Sequence, residues 1–349
     1  MEQMSKDEFS KYFNENYRSK LEDLEKKRLF YAPLRKFCLI FGVSLFIFIF
    51  IVGINMGENS VLGHFLVLCF CLLILSFLTV GVIDSLFKKP LKTKIISKVI
   101  SLYGNLYLTN QKNLIRLSDI HNFGLFPRSK KMVEDDVIIG NYKNTNIVIS
   151  ECKLSHIIRS GKKTRTEIDF SGLIVKLTMN KKFSGLTVVG MADDITPPSG
   201  CKNVELESVE FMKNRKVYSS DQIEARYLLT PTFMERLDNL GKHFFVSMTQ
   251  NIATEQGAAV DMNKSMQLLK SSNSMIANFA ISMLDKMLRV SAVFVDGSIY
   301  LFIPLSMDFF EVSIEKSFLD PAQYYTIYLQ INSILEIIEY FKLDQKLGL

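Results

Sequence analysis

Two charge-free apolar runs near the start of the chain restrict its fold more than any other feature. From Phe37 to Ile54 the sequence FCLIFGVSLFIFIFIVGI carries no charge. At about 1.5 Å of rise per residue it reaches about 27 Å, close to the roughly 30 Å of a bilayer's hydrocarbon layer. The second run, VLGHFLVLCFCLLILSFLTVGVI from Val61 to Ile83, reaches about 34 Å and can cross with some tilt. Only NMGENS joins them, so the pair is expected to form an antiparallel hairpin with both flanks on one side. Lys20, Lys26, Lys27, Arg28, Arg35 and Lys36 precede the first run and Lys88, Lys89, Lys92, Lys94 and Lys98 follow the second, whereas the link carries Glu58 alone. The positive-inside rule therefore puts both flanks, with the N- and C-termini, in the cytoplasm. His64 sits near one end of the second run as an interfacial residue, and Asp84 marks the other boundary. Lys88, Lys89, Lys92 and Lys94 are also candidate contacts for anionic lipid headgroups, although setting the orientation already accounts for them.

The rest of the 349-residue chain reads as ordinary globular sequence, because the 48% hydrophobic content is concentrated between Phe37 and Phe87. The expected organisation is a cytosolic amphipathic helix over 1–36, a transmembrane hairpin over 37–87 with spans at about 37–54 and 61–83, and a cytosolic α+β domain over 88–349. The net charge of +6 gathers beside the apolar runs and makes no stripe with interleaved aromatics, so no nucleic-acid partner is expected. A cleaved signal peptide is not expected either, since the first apolar run starts late and exceeds a signal's apolar core. The five cysteines have neither a disulfide framework nor metal-ligand spacing, and the four histidines never pair in a zinc pattern, so no metal or cofactor is expected. The Lys162-Lys163 pair after Gly161 lacks the spacing of a phosphate loop, and no serine occupies a GxSxG elbow.

Ahead of the first span, Phe9, Phe13, Tyr17, Leu21 and Leu24 recur at helical spacing among charges. They predict an amphipathic helix from about Ser5 to Tyr31, interrupted by Pro33 and packed on the chain's own soluble part. Beyond Leu91, short β-like runs such as TNIVISECKLSHIIR and TRTEIDFSGLIVKLTM alternate with turn signals at Asn144, Ser160–Lys163 and Asp296-Gly297, predicting antiparallel hairpins. Asp320 and Pro321 open a last helix, running to about Leu343. The fold class is α+β: an N-terminal amphipathic helix, a two-helix transmembrane hairpin, then an antiparallel β-sheet with helices packed on one side. Between about 249 and 288, Met262, Met266, Leu269, Asn273, Ile276, Ala280, Met283 and Met287 step by four and three, a heptad seam in which Asn273 could fix the register of paired helices. Core packing within the chain is the plainer account of that stripe; a protein partner or a homo-oligomer is the other.

The most distinctive stretch is VELESVEFMKNRKVYSSDQIEARYLLTPTFMERLDNL, from Val204 to Leu240. Strand-like VELES leads toward a helix capped by Asp221 with Glu224 three residues on, and Thr230-Pro231 opens a second helix. Phe211, Val217, Tyr218, Ser219, Asp221, Ile223, Glu224, Ala225, Arg226, Tyr227, Leu229, Thr230, Pro231, Phe233, Glu235, Arg236 and Leu237 resemble the signature of an uncharacterised bacterial membrane-protein family, a domain of unknown function with two N-terminal spans. Gly140 after Asp135 and Asp136, FSGL at Phe170 and the run from Lys181 look like the family too. Arg215 stands where that family usually has a second Phe, and the segment 249–288 reads as an insertion. The resemblance implies a bacterial inner-membrane location and brings no activity. The expected function is a membrane-anchored cytosolic interaction or scaffold module that is not an enzyme. The alternative is a membrane-tethered enzyme or small-ligand-binding protein with a nonlocally assembled site near Glu224, Arg226 and Tyr227.

Overall fold

A computed structural model describes residues 4–54, 60–161, 163–178, 183–241, 289–305 and 309–340. The chain folds as two compact units, one formed by Glu2–Val99 with Glu311–Ile327 and the other chiefly by Ile100–Phe310 with Tyr328–Leu349.

In the first unit α1 (Lys6–Asn16) starts with a reciprocal cap. Ser5 Oγ accepts from the Glu8 amide at 3.3 Å while Glu8 Oε2 accepts from the Ser5 amide at 2.8 Å, satisfying two of the amides that a helix start leaves open. Phe9, Phe13, Tyr17, Leu21 and Leu24 are all buried. The stripe packs on aromatic residues of the C-terminal helix, with ring centroids 4.8 Å apart for Phe13 and Tyr324 and 5.3 Å for Phe9 and Tyr325. One helix was expected through Tyr31, but the chain breaks at Tyr17 and resumes as α2 (Arg18–Ile54). Pro33 lies inside α2 and does not end it. Its fixed φ suits a helix, and only one backbone donor is forfeited.

α3 (Ser60–Leu91) returns beside α2, then widens through a π-helical turn at Lys92–Ile96 into α4 (Ser97–Ile100). α2 and α3 are long and apolar enough to cross a membrane, and only 6% and 22% of their most apolar windows are buried. Phe46, Phe50, Val67 and Leu78 are all 60% exposed or more, the reverse of a soluble core helix. At one point of contact between the two helices the residues are small: Ser76 Oγ donates to the Cys38 carbonyl, and a Cβ on Gly42 would come 2.9 Å from Ser76 Oγ. Polar contacts fasten the end of the hairpin. Arg35 donates to Asp84 on α3 and to Glu315, each at 2.6 Å. Arg28 pairs with Glu25 through two bonds of 2.8 Å, and Glu25 also accepts from Ser317 Oγ at 2.9 Å and the Phe318 amide at 2.8 Å.

The second unit holds β1 (Asn105–Thr109), α5 (Leu117–Asn122), β2 (Lys131–Tyr142), β3 (Thr145–Ser160), β4 (Lys163–Thr178), β5 (Thr187–Met191), β6 (Lys202–Asn203), α6 (Val209–Met212), β7 (Arg215–Ser219), α7 (Gln222–Leu228), α8 (231–241), β8 (Ser291–Val295), β9 (Ser298–Pro304) and most of α9 (Pro321–Tyr340). The strands make one sheet in the order β1-β2-β3-β4-β9-β8-β5-β7-β6, with every pair antiparallel. The three predicted hairpins form. Lys143-Asn144 and Asp296-Gly297 carry positive φ at both positions, the geometry that matches a two-residue turn to the strands' own twist. Gly172 has φ +155°, and a Cβ there would lie 2.1 Å from the Ile303 carbonyl of the neighbouring strand, so no side chain fits.

The fold class is the α+β arrangement expected, but cover was expected on one side of the sheet and lies on both. Consecutive residues of β8 and β9 are buried. Ile120, Phe123 and Phe126 pack with Ile174, Val293, Tyr300 and Phe302 on one face. On the other, Phe233 of α8 lies 5.3 Å from Phe294 by ring centroids. Asp320 Oδ1 caps α9 by accepting from the Ala322 amide at 3.0 Å, as its position before Pro321 predicted.

The Glu25 contacts set a pH dependence. Hydrogen bonds from Arg28, then from Phe318 and Ser317, hold its carboxyl below the ordinary glutamate value against the opposing effect of burial. A depressed folded-state value stabilises the fold above the unfolded value of about 4.3 and is lost as pH falls through the lower folded one. The stability of the full chain in detergent should therefore fall from about pH 4.5 downward. Glu25→Gln should be less stable at pH 7 and flatter across that acid range; an unchanged slope would show that this contact carries none of the dependence.

Candidate functional site

The signature stretch forms a strand-to-helix junction at the β6 end of the sheet. β7 pairs with β5, placing Ser219 opposite Thr187, and their hydroxyls lie 2.9 Å apart. Ser220 closes the pairing: its amide donates to the Leu186 carbonyl at 3.0 Å, and its Oγ accepts from the Leu186 amide at 2.9 Å. Asp221 then caps α7, with Oδ1 accepting from the Ile223 and Glu224 amides at 2.9 Å each. Thr230 Oγ1 caps α8 by accepting from the Phe233 amide at 3.2 Å, with Pro231 at the first helical position. VELES is not a strand. Only Lys202–Asn203 pairs as β6, and Val204 adds one ladder bond to the Val217 carbonyl at 2.9 Å; Ser208 beyond it caps the short α6.

The structure separates the three candidate polar residues. Glu224 reaches away from its own helix and accepts from the Ser184 amide at 3.0 Å and the Gly185 amide at 2.7 Å, clamping the second FSGL sequence ahead of β5. Arg226 donates to the Gln222 carbonyl one turn back at 3.1 Å. Tyr227 is 54% exposed, one turn from Ile223, which is 82% exposed. Among the headgroup candidates, Lys88 and Lys92 lie 3.0 and 3.2 Å from Glu311, while Lys89 and Lys94 are exposed. The seam of Met262, Met266, Leu269, Asn273, Ile276, Ala280, Met283 and Met287 lies outside the described residues.

Arg215 takes a position that spacing could not predict. It is 5% exposed, donates to Asp238 of α8 at 2.8 Å and to the Val290 carbonyl at 2.5 Å, and lies 5.3 Å from the Phe211 ring centroid. Burial pulls its guanidinium below the ordinary arginine value, against the support of Asp238.

A second polar cluster was invisible in the sequence. Asp169 is the extra residue of a β-bulge: Leu154 pairs with Phe170 and Ser155 with Ile168, leaving Asp169 outside the ladder. Its Oδ2 accepts from Ser129 Oγ at 2.7 Å and lies 2.9 Å from His156 Nδ1, while His121 Nε2 is 3.0 Å from the Ser129 carbonyl. The carboxylate stands between the serine and the histidine. A nucleophilic serine needs the histidine as its direct base, so this order binds a turn to the sheet and does not activate a hydroxyl. Nearby, burial raises the Asp194 carboxyl above its ordinary value. Among the described residues no group of three His, Cys, Asp or Glu side chains is placed to hold a metal.

The chain matches the family model described as Protein of unknown function (DUF3137) over residues 168–266 and 271–343. All the signature residues from Phe211 to Leu237 fall inside the match, whereas Asp135, Asp136 and Gly140 precede it. The break at 267–270 falls within the segment read as an insertion. No curated protein matches. A solved structure described as the crystal structure of the mycobacterial trehalose monomycolate transport factor A, TtfA, is 8% identical, with 60% of this chain and 75% of that chain covered at a TM-score of 0.25. A likeness that low carries no argument here.

The buried arginine yields a double-mutant prediction. Asp238→Ala leaves a buried guanidinium without its carboxylate and should destabilise the full chain by about 2–4 kcal/mol. Arg215→Phe, which removes the buried charge and keeps a large side chain beside Phe211, should remove most of that cost in the Arg215→Phe, Asp238→Ala double variant. Additive losses in denaturant unfolding would show that the pair is uncoupled.

Proposed function

We propose that this chain, which belongs to that family of unknown function, is a membrane-anchored interaction or scaffold module of the bacterial inner membrane and is not an enzyme. One observation carries the reading: the signature's capping side chains are spent inside the fold, while Ile223 beside them stands open to solvent. Asp221, Glu224, Thr230 and Ser219 hold strand to helix, whereas Val209 and Ile223 are 83% and 82% exposed. Catalytic and ligand sites instead gather polar groups toward a shared space. Glu224 and Arg226 are each held by separate backbone groups, which weighs against the membrane-tethered enzyme or small-ligand reading.

The two long apolar helices support a spanning hairpin. The lysines and arginines on both flanks support a cytosolic side for the sheet unit through the positive-inside rule. In the same reading, Lys89 and Lys94 serve anionic lipid headgroups. The Met262 to Met287 seam pairs with a protein partner or a second copy.

Two measurements test this. In a cysteine-free background, Glu58→Cys should react with an impermeant maleimide added to spheroplasts, and Lys94→Cys only after permeabilisation; the reverse pattern sinks the topology. Crosslinking in native membranes should recover a stoichiometric partner or a dimer, and Ile223→Asp should reduce it at least about tenfold, as losing a buried apolar anchor does, without lowering the unfolding midpoint. Free monomer throughout, or indifference to Ile223→Asp, counts against an interaction surface at the signature.

A further inference from the structure

The β3–β4 hairpin outruns the sheet. β2 pairs with β3 only as far as Ser155, and β9 pairs with β4 only from Gly172 onward. His156–Ser160 and Lys163–Ile168 therefore form a two-stranded arm that no further strand borders among the described residues. Register places Arg159 with Thr164, Ile157 with Thr166, and Ser155 with Ile168 on one face. Ile157 and Ile168 are each 60% exposed there. The face continues onto β2, where Val133 is 48% exposed and stands opposite Lys153, and Lys131 stands opposite Ser155. Three apolar side chains thus lie in the open between Lys131, Lys153 and Arg159. The arm's other face adds Lys163 and Arg165, against one carboxylate, Glu167, 3.5 Å from Arg165.

We propose that this arm is a bilayer-contact element that lays Ile157 and Ile168 on an anionic membrane surface while its cations meet the headgroups. Cations on the strand margins alone would be explained as guards against edge-to-edge pairing. Exposed isoleucines on the flat face are not, since β-branched side chains in water oppose both solubility and pairing control. An added strand would run along the edge of β4 and leave that face uncovered. Apolar residues ringed by lysine and arginine on a flat surface suit the headgroup boundary, where apolar burial and charge attraction act together. Each cation near an anionic leaflet contributes about a fivefold gain in binding. These residues differ from the lysines beside the spans, and the inference stands apart from the signature motif.

The chain contains no tryptophan, so Ile157→Trp supplies a single reporter in the full-length protein. It is reconstituted in phosphatidylcholine vesicles with or without phosphatidylglycerol, using bromine-labelled lipids as quenchers. The expected result is blue-shifted, lipid-quenched emission with phosphatidylglycerol. Adding Lys131→Glu, Lys153→Glu and Arg159→Glu, the three cations of the contact face, should weaken the contact at least about a hundredfold and abolish quenching, with the unfolding midpoint retained. Tyr107→Trp, at a site 52% exposed on β1, should remain open to iodide. Emission from the Ile157→Trp protein that stays open to iodide with phosphatidylglycerol overturns the proposal, as does equal lipid quenching of the Tyr107→Trp protein. A blue shift without lipid quenching also overturns it, because protein then covers the face.

Discussion

α2 and α3 show phenylalanine on most sides and are long and apolar enough to cross a membrane, and that constraint governs how two such helices can pack. Hydrocarbon offers no hydrogen-bond partner, so α2 and α3 must satisfy their backbones internally. Association of such helices gains nothing from hiding apolar surface that lipid covers equally well. What remains is close packing of small residues and polar contacts where the apolar runs end. Gly42 against Ser76 supplies the first. The second is concentrated at Arg35, which joins Asp84 and Glu315 and is itself largely covered while both carboxylates stay half exposed. The placement matters energetically. An arginine desolvated on its own would be costly, but one held by two hydrated carboxylates keeps its partners' solvation and gains their charge.

Local chemistry was legible and long-range pairing was not. Asn144 and Asp296-Gly297 announce their turns because positive φ at both loop positions is a demand that few residues meet. The stripe from Phe9 to Leu24 announces a buried face, and Asp221, Thr230 and Asp320 announce caps, because each depends on neighbours within four residues. Nothing at that range reveals that β4 lies beside β9 or that β5 sits between β8 and β7. The break at Tyr17 and the continuity through Pro33 were missed because helix boundaries depend on what packs outside them. The seam from Met262 to Met287 is clear as a pattern and lies outside the described residues.

The polar sites were the least readable part, for a specific reason. A β-bulge shifts which face a residue serves without changing the sequence pattern. Asp169 looks like one more polar residue in an alternating strand until the ladder skips it; His156 and Ser129 then gain a partner that no spacing rule connects. Glu224 misled in the opposite way. In sequence it completes a capping pattern with Asp221, and it sits two residues from an arginine. In the fold only Asp221 caps, and Glu224 is drawn to two amides that the second FSGL turn would otherwise leave open.

The two FSGL sequences show why a recurring motif need not mark chemistry. In the first, a Cβ on Gly172 would fall 2.1 Å from a strand carbonyl, and the Ser171 carbonyl accepts from the Leu305 amide at 2.8 Å. In the second, a Cβ on Gly185 would fall 2.7 Å from Glu224 Oε2, and the amides of Ser184 and Gly185 are the donors. One glycine is fixed by a neighbouring backbone and the other by a side chain, so the shared letters encode close approach and not a shared ligand. The same logic extends to Arg215, where the resemblance noted in the sequence leads one to expect a second phenylalanine. The cation lies over Phe211, so the aromatic contact that a second ring would make is kept in another form. Asp238 then supplies the charge that the exchange requires. A signature held by such contacts constrains shape first.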